Sequence, residues 1–205
     1  VTLDDSGRVH MSKVPSDRAI VGELSTGELT FGTTVATNAL LERAGVSTAL
    51  VVTKGLADLI LIGDMTRPSI FAPQATWPDS LATTVFEVEG RLDAEGEERQ
   101  PLVIPPDLAT RLQEFEAVAI VLLHSHRNPD HERALADALS AHPHVVLGHE
   151  SSPELGYLSR IETTLVDAAI SPLLHRAMKR DKIPGDALAM HHYLIRILSL
   201  WDCGI

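Results

Sequence analysis

The residues best suited to chemistry sit in one short run, Phe31-Gly32-Thr33-Thr34-Val35-Ala36-Thr37-Asn38, followed at once by an apolar helical pattern. Glycine lets a backbone turn or approach a ligand closely. Hydroxyls just before a helix either cap its free N–H groups or leave them open to an anion. Both readings stay open for Thr33, Thr34 and Asn38 on residue type alone. Arg67 and Arg91 carry guanidinium forks that clamp a carboxylate or phosphate, or else pair with surface acids. Six histidines, His124, His126, His131, His142, His144 and His149, crowd one span. They lack a Cys pair or a His-Glu-x-x-His spacing, so no dedicated metal site is expected. His124 stands apart because it follows a buried strand, at the strand end where α/β sheets bind ligands. Thr163 and Thr164 read either as cleft-facing polar groups or as helix hydroxyls bonded to the preceding turn. Cys203 has no neighbouring base in sequence and no sign of being a nucleophile.

The elements that must position these residues follow from pattern. Val1–Leu3 and Arg8–Val14 read as a hairpin across Asp4-Asp5-Ser6-Gly7, and Asp17–Leu24 as a short helix. A helix is expected from about Thr34 to Ala44, with Gly45 as its stop. Val46–Val52 is apolar on both faces, as parallel strands are. Leu56–Ile62 reads as helical, and residues 63–80, with three prolines, as a loop. Thr83–Leu92 and Glu97–Val103 form a second hairpin across Asp93–Gly96. A helix at Asp107–Glu116 precedes the strand Ala117–Leu123. Asn128-Pro129 opens a helix through Ala141 that is expected to bury Ala134, Leu135, Ala138 and Leu139. Val145–Leu147 is a short strand, Ser152-Pro153-Glu154 starts another helix, and a longer helix runs from about Arg160 to Lys179, bent near Pro172. Residues 181–205 give no pattern that places them. Strands alternating with helices make the fold class α/β, a mixed sheet with flanking helices and added hairpins.

The 205 residues, 44% hydrophobic, suit one sizeable domain or one domain plus part of another. A formal net charge of −11 argues against nucleic acid and anionic membrane surfaces as partners. The longest apolar run, Ala117–Leu123, is too short to span a bilayer. A single cysteine suits a reducing compartment, no basic-then-apolar leader opens the sequence, and a soluble cytoplasmic protein is the expectation.

Gly32-Thr33-Thr34-Val35-Ala36-Thr37-Asn38-Ala39-Leu40-Leu41-Glu42-Arg43 resembles the hallmark run of the hydantoinase A/5-oxoprolinase family. The resemblance continues collinearly: Ser47–Gly55, Asp58, Ile62-Gly63, Arg67-Pro68, Glu87-Val88, Arg91, Asp93–Gly96, His124-Ser125, Arg127-Asn128-Pro129, His131-Glu132-Arg133, Ser152-Pro153-Glu154, Arg160 and Thr163–Val166. It covers roughly residues 1–174 and is far more specific than any single motif. It implies an actin-like ATPase (ribonuclease H-like) fold, with residues 1–150 an N-terminal-like domain and 151–205 the incomplete beginning of a second. It also implies part of an ATP-dependent cyclic amidohydrolase, with ATP and magnesium used to open a cyclic amide beside a B-type partner subunit. A ketone carboxylase subunit and a non-catalytic truncated member or scaffold are the alternatives. On this resemblance Thr33 and Thr34 are the catalytic candidates, and Gly32, Asn38, Arg67, Arg91 and His124 the substrate-binding ones. The sequence departs from the family in two respects. The family's Asp-x-Gly-Gly-Thr-x-Thr-Asp phosphate loop has no counterpart here, so the chain by itself is not expected to hold ATP. Leu61-Ile62-Gly63-Asp64-Met65 stands where the family writes Glu-Ile-Gly-Arg-Gln, which exchanges a guanidinium for a carboxylate.

Overall fold

Two apolar runs build the centre of the molecule. In the computed structural model, which describes residues 2–3, 9–10, 34–63, 80–153 and 155–180, they are β3 (Thr48–Thr53) and β6 (Ala117–Val121), every residue of both buried. Each fully buried Val, Leu or Ile contributes on the order of 1.5–3 kcal/mol. β3 pairs in parallel with β6 on one side and with β4 (Thr84–Leu92) on the other. β7 (Val145–Leu147) adds in parallel beyond β6. β5 (Glu98–Val103) turns back antiparallel on β4, giving the mixed order β5-β4-β3-β6-β7. β1 (Thr2–Leu3) and β2 (Val9–His10) pair antiparallel, as the first hairpin requires.

Side chains of a strand alternate between faces, so the two faces receive different partners. Ala49, Val51, Val118 and Ile120 pack with Leu108 and Leu112 of α3 (Leu108–Leu112) and with Leu135 of α4 (Asp130–Ala138). Leu50, Val52, Ala119 and Val121 pack on the opposite face with Ile161, Leu165 and Ala168 of α6 (Tyr157–Arg180). The result is a helix–sheet–helix sandwich. α1 (Val35–Leu41) lies against α6, and α2 (Leu59–Ile62) is a single short turn. α5 (Gly148–Ser151) follows β7 directly. Among the described residues no helix is long and apolar enough to cross a membrane.

Three local expectations are corrected. The stop of α1 is not Gly45 but Arg43, which lies just past the Glu42 C-cap and takes a left-handed φ of 50°. The Arg43 N–H then bonds Leu40 O and the Ala44 N–H bonds Ala39 O, the paired bonds of a Schellman stop. Gly45 serves a different need: a Cβ there would lie 2.9 Å from Ala169 Cβ, because the Val46 N–H donates to Ala169 O and draws the chain onto α6. α4 buries Leu135 and Leu139 as expected but exposes Ala134 and Ala138, enclosing His131 and Glu132 instead. The helix-start chemistry at Ser152-Pro153 opens no helix at that point, since α5 closes at Ser151 and α6 begins at Tyr157. α6 itself continues through Pro172 as one helix. The expected helix Asp17–Leu24 lies outside the described residues.

Candidate functional site at the carboxyl edge of the sheet

In an open α/β sheet, ligands bind beyond the carboxyl ends of the parallel strands. At that edge side chains from distant elements satisfy the backbone at and just beyond the end of β6. The Leu122 N–H donates to Glu132 Oε1 at 2.8 Å and the Leu123 N–H to Thr53 Oγ1 at 3.0 Å. The Tyr157 hydroxyl donates to Val121 O at 2.9 Å, and Arg160 Nη2 approaches Leu122 O at 3.4 Å. The chain then turns at His124, whose φ of 60° is uncommon for a residue bearing a Cβ.

Glu132 is wholly enclosed, and burying an unpaired carboxylate is costly. Its second oxygen accepts the backbone N–H of His149 at 3.0 Å and meets His149 Nδ1 at 2.6 Å. One carboxylate from α4 thus ties the end of β6 to the residue after Gly148, joining two strand ends. Gly148 makes room for it, since a Cβ there would lie 3.1 Å from Glu132 Oε1.

Arg160, from the first turns of α6, is 1% exposed. Its guanidinium lies over the Tyr157 ring at 5.5 Å, and Nη1 faces His126 Nδ1 at 3.4 Å. Burial lowers the Arg160 pKa, while Glu132 and Tyr157 act in the opposite direction. Burial pushes the Tyr157 phenol well above its usual range. His126 is held below the ordinary histidine value by burial first, then by the positive charges of Arg160, Arg127 and His124.

Beside this cluster Thr53, Lys54, Glu89, Gly90, Arg91 and Gln100 line a hollow of about 220 Å³. The β4–β5 register slips between Glu89 and Arg91. Gly90 sits in that slip at a φ of 149°, and a Cβ there would come within 3.1 Å of Leu102 Cα. A bulge of this kind re-aims the next side chain, here Arg91. Lys54 is already engaged by Glu89. Arg91 has no carboxylate within ion-pair distance among the described residues, and its charge is felt at the Tyr157 hydroxyl.

Arg91 and His124 therefore share one edge, linked through Thr53. Thr34 and Asn38 do not join them. Thr34 is the exposed N-cap residue of α1 and makes no side-chain capping bond, so the capping reading of its hydroxyl is not realised. Asn38 borders a groove of about 550 Å³ between α1 and the end of α6, with Glu42, Leu173, Arg176 and Arg180. Arg176 lies sixteen residues along α6 from Arg160, about 24 Å at the helical rise. Gly32, Thr33 and Arg67 lie outside the described residues. Glu132, His149, Tyr157 and Arg160 form the framework of the edge and were not singled out as site residues from residue type. Their signal was a glutamate and an arginine placed inside otherwise apolar helical faces. Among the described residues no group of three or more His, Cys, Asp or Glu side chains is placed to hold a metal ion.

Comparison with known proteins gives this edge a context. The chain is 31% identical over 181 residues to 5-oxoprolinase of Saccharomyces cerevisiae, covering 72% of this chain and 14% of that protein. It is 36% identical over 160 residues to the caprolactamase subunit alpha of Pseudomonas jessenii, covering 73% of this chain and 23% of that subunit. The crystal structure of the ATP-dependent caprolactamase from the same organism superposes with a TM-score of 0.58 at 32% identity, over 80% of this chain and 24% of that one. Nucleotide-free acetone carboxylase superposes with a TM-score of 0.61 at 20% identity, over 72% of this chain and 24% of that one, which is a likeness of fold. The fold is thus the actin-like ATPase type, a mixed α/β sheet with flanking helices. The chain spans only about a seventh of the yeast protein's length, from the 14% covered. Residues 1–142 match the model of the hydantoinase/oxoprolinase N-terminal region, and the chain belongs to that family.

Proposed function

We propose that this chain is a segment of a larger ATP-dependent enzyme that opens a cyclic amide, and that the carboxyl edge of its sheet faces the ligand. The observation that carries this reading is the likeness to caprolactamase in both sequence and fold. An amide carbonyl is a poor electrophile, and ATP would supply the phosphoryl group that turns the amide oxygen into a leaving group. Among the described residues no group of side chains is placed to hold a metal ion, and magnesium and ATP are assigned to the longer polypeptide. What these residues do is orient and bind. Arg91, with no carboxylate within ion-pair distance among the described residues, offers its guanidinium to an anionic group, and His124 stands at the turn where β6 leaves the sheet.

In this reading Thr33 and Thr34 supply catalytic hydroxyls at α1, Gly32, Asn38 and Arg67 are further substrate contacts, and Arg91 and His124 bind at the sheet edge, apart from the groove that Asn38 borders. Residues 1–150 form the first domain. The region from 151 begins a second, whose long helix α6 also packs on the first sheet. A partner subunit fits the fact that the related caprolactamase chain is itself a subunit. The test is phosphate release by the longer polypeptide containing these residues, with its partner, given Mg-ATP and a panel of lactams. Lactam-stimulated release is expected, with no nucleotide binding heat from the 205-residue chain alone. Absence of lactam-dependent release sinks the reading, and release driven by a ketone with bicarbonate would move it to carboxylation. For the threonines, unchanged turnover in a folded Thr33→Ala/Thr34→Ala enzyme returns them to a structural role.

A further inference from the structure

His126 leaves the β6 turn with its ring against Arg160, and the guanidinium decides where the ring carries its proton. A guanidinium has donors only. With Nη1 at 3.4 Å from His126 Nδ1, the ring nitrogen facing it must accept, so the neutral ring keeps its proton on Nε2. Arg160 is not free to swing aside. It is 1% exposed, its Cζ lies over the Tyr157 ring, and Nη2 approaches Leu122 O. His126 Nε2 has no hydrogen-bond partner among the described residues and is not an enclosed atom, and its ring lies 6.0 Å from that of His124 on the turn beyond the carboxyl end of β6.

We infer that His126 is a ligand-facing hydrogen-bond donor, an uncharged imidazole whose proton is held on Nε2 by Arg160 and offered to a carbonyl or phosphoryl oxygen at the carboxyl edge. The charged groups around the ring are Arg160 from α6 and Arg127 and His124 on its own turn, with the Glu132 carboxylate beyond Arg160. All three neighbours of the ring are cationic or able to become so, and together with burial they resist a further positive charge. An imidazole kept neutral polarises an oxygen without giving up its proton. Arg160 is the positioning residue, and His126 makes the contact. The inference rests on the reading that this edge faces the ligand, but its first test does not.

That test is long-range ¹H–¹⁵N correlation of the histidine rings in the 205-residue chain. The expected result is a His126 ring whose neutral form carries its proton on Nε2 and predominates at pH 6.5, the ordinary histidine value. A proton on Nδ1, or an imidazolium at that pH, overturns the inference whatever Mg-ATP does. Inorganic phosphate and 2-pyrrolidone are then titrated separately as phosphoryl and carbonyl probes. Movement of the His126 resonances with one of them identifies the oxygen recognised. Silence toward both removes the ligand-facing role without touching the amidohydrolase reading. His126→Asn keeps an N–H donor and is expected to retain the probe's affinity. His126→Phe is expected to weaken it about tenfold, ~1.4 kcal/mol. Equal loss in the two variants, or none in either, also overturns it.

Discussion

Replacing the Glu132 carboxylate by an amide should destabilise the chain out of proportion to the single atom changed. In Glu132→Gln the side chain keeps its length, but only one of its two termini accepts hydrogen bonds. If that oxygen stays with the Leu122 N–H, 2.8 Å from it in the parent, the amide NH₂ faces the His149 side. There it meets two groups that donate to the carboxylate, the His149 backbone N–H at 3.0 Å and Nδ1 at 2.6 Å. The imidazole escapes by moving its proton to Nε2 and accepting at Nδ1, but the backbone N–H has no such option. One buried donor is left unsatisfied, at about 1–3 kcal/mol, and a charge-assisted bond becomes a neutral one. A loss of roughly 2 kcal/mol follows, or about 4–8 °C in Tm for a chain of this size. Glu132→Ala strands every donor and opens a cavity, and should cost more, about 3–5 kcal/mol. Urea unfolding with circular dichroism, read beside thermal melts, measures both. If Glu132→Gln unfolds within about 0.5 kcal/mol of the parent, a range typical of ordinary surface changes, Glu132 does not tie the strand ends together.

Two further perturbations test other parts of the architecture. Gly45→Ala places a Cβ 2.9 Å from Ala169 Cβ, and overpacking between α6 and the entry to β3 should cost about 1–3 kcal/mol by the same unfolding assay. An unchanged stability would mean that α6 does not approach Val46 so closely. His126 and His144 both have folded-state pKa values below 6.5. For His126 the causes are burial and then Arg160, and for His144 burial and then His175. As pH falls through that value the unfolded chain takes up these protons first, so the stability they contribute is whole above it and is lost below it. Tm should therefore decline between about pH 7 and pH 5, before most carboxylates titrate. His144→Phe should flatten the slope, and a parent Tm level across that window would contradict the assignment.

The sequence by itself determined which segments become elements and which sit at the centre. The apolar runs over Val46–Val52 and Ala117–Leu123 have no polar face to show water, so they must be interior strands flanked on both sides. Asp93–Gly96 must turn, because Asp93 Oδ1 is placed to accept the N–H groups of Glu95 and Glu97. These are local facts of period and turn chemistry, readable over a handful of residues. The collinear motifs likewise sufficed for the family, since they span most of the matched residues 1–142. The stop of α1 was misread because glycine is the cheapest residue in the left-handed region, and Gly45 was needed elsewhere, against Ala169. The buried face of α4 was misread because apolarity assigned it to alanines. The fold instead enclosed a carboxylate whose cost is offset by donors on β6 and after β7.

Tertiary structure alone decided the site. Thr53, Arg91, His126, Glu132 and His149 come from separate segments, with Tyr157 and Arg160 together on α6, and only parallel pairing brings the ends of β3, β6 and β7 to one edge. It also sent Asn38 to the far end of α6, away from Arg91 and His124, although the motifs that nominated them run in one unbroken order. Residue type says what a side chain can do. Which groups face it, how deeply it is buried and which proton it keeps are set by contacts between residues far apart in the chain.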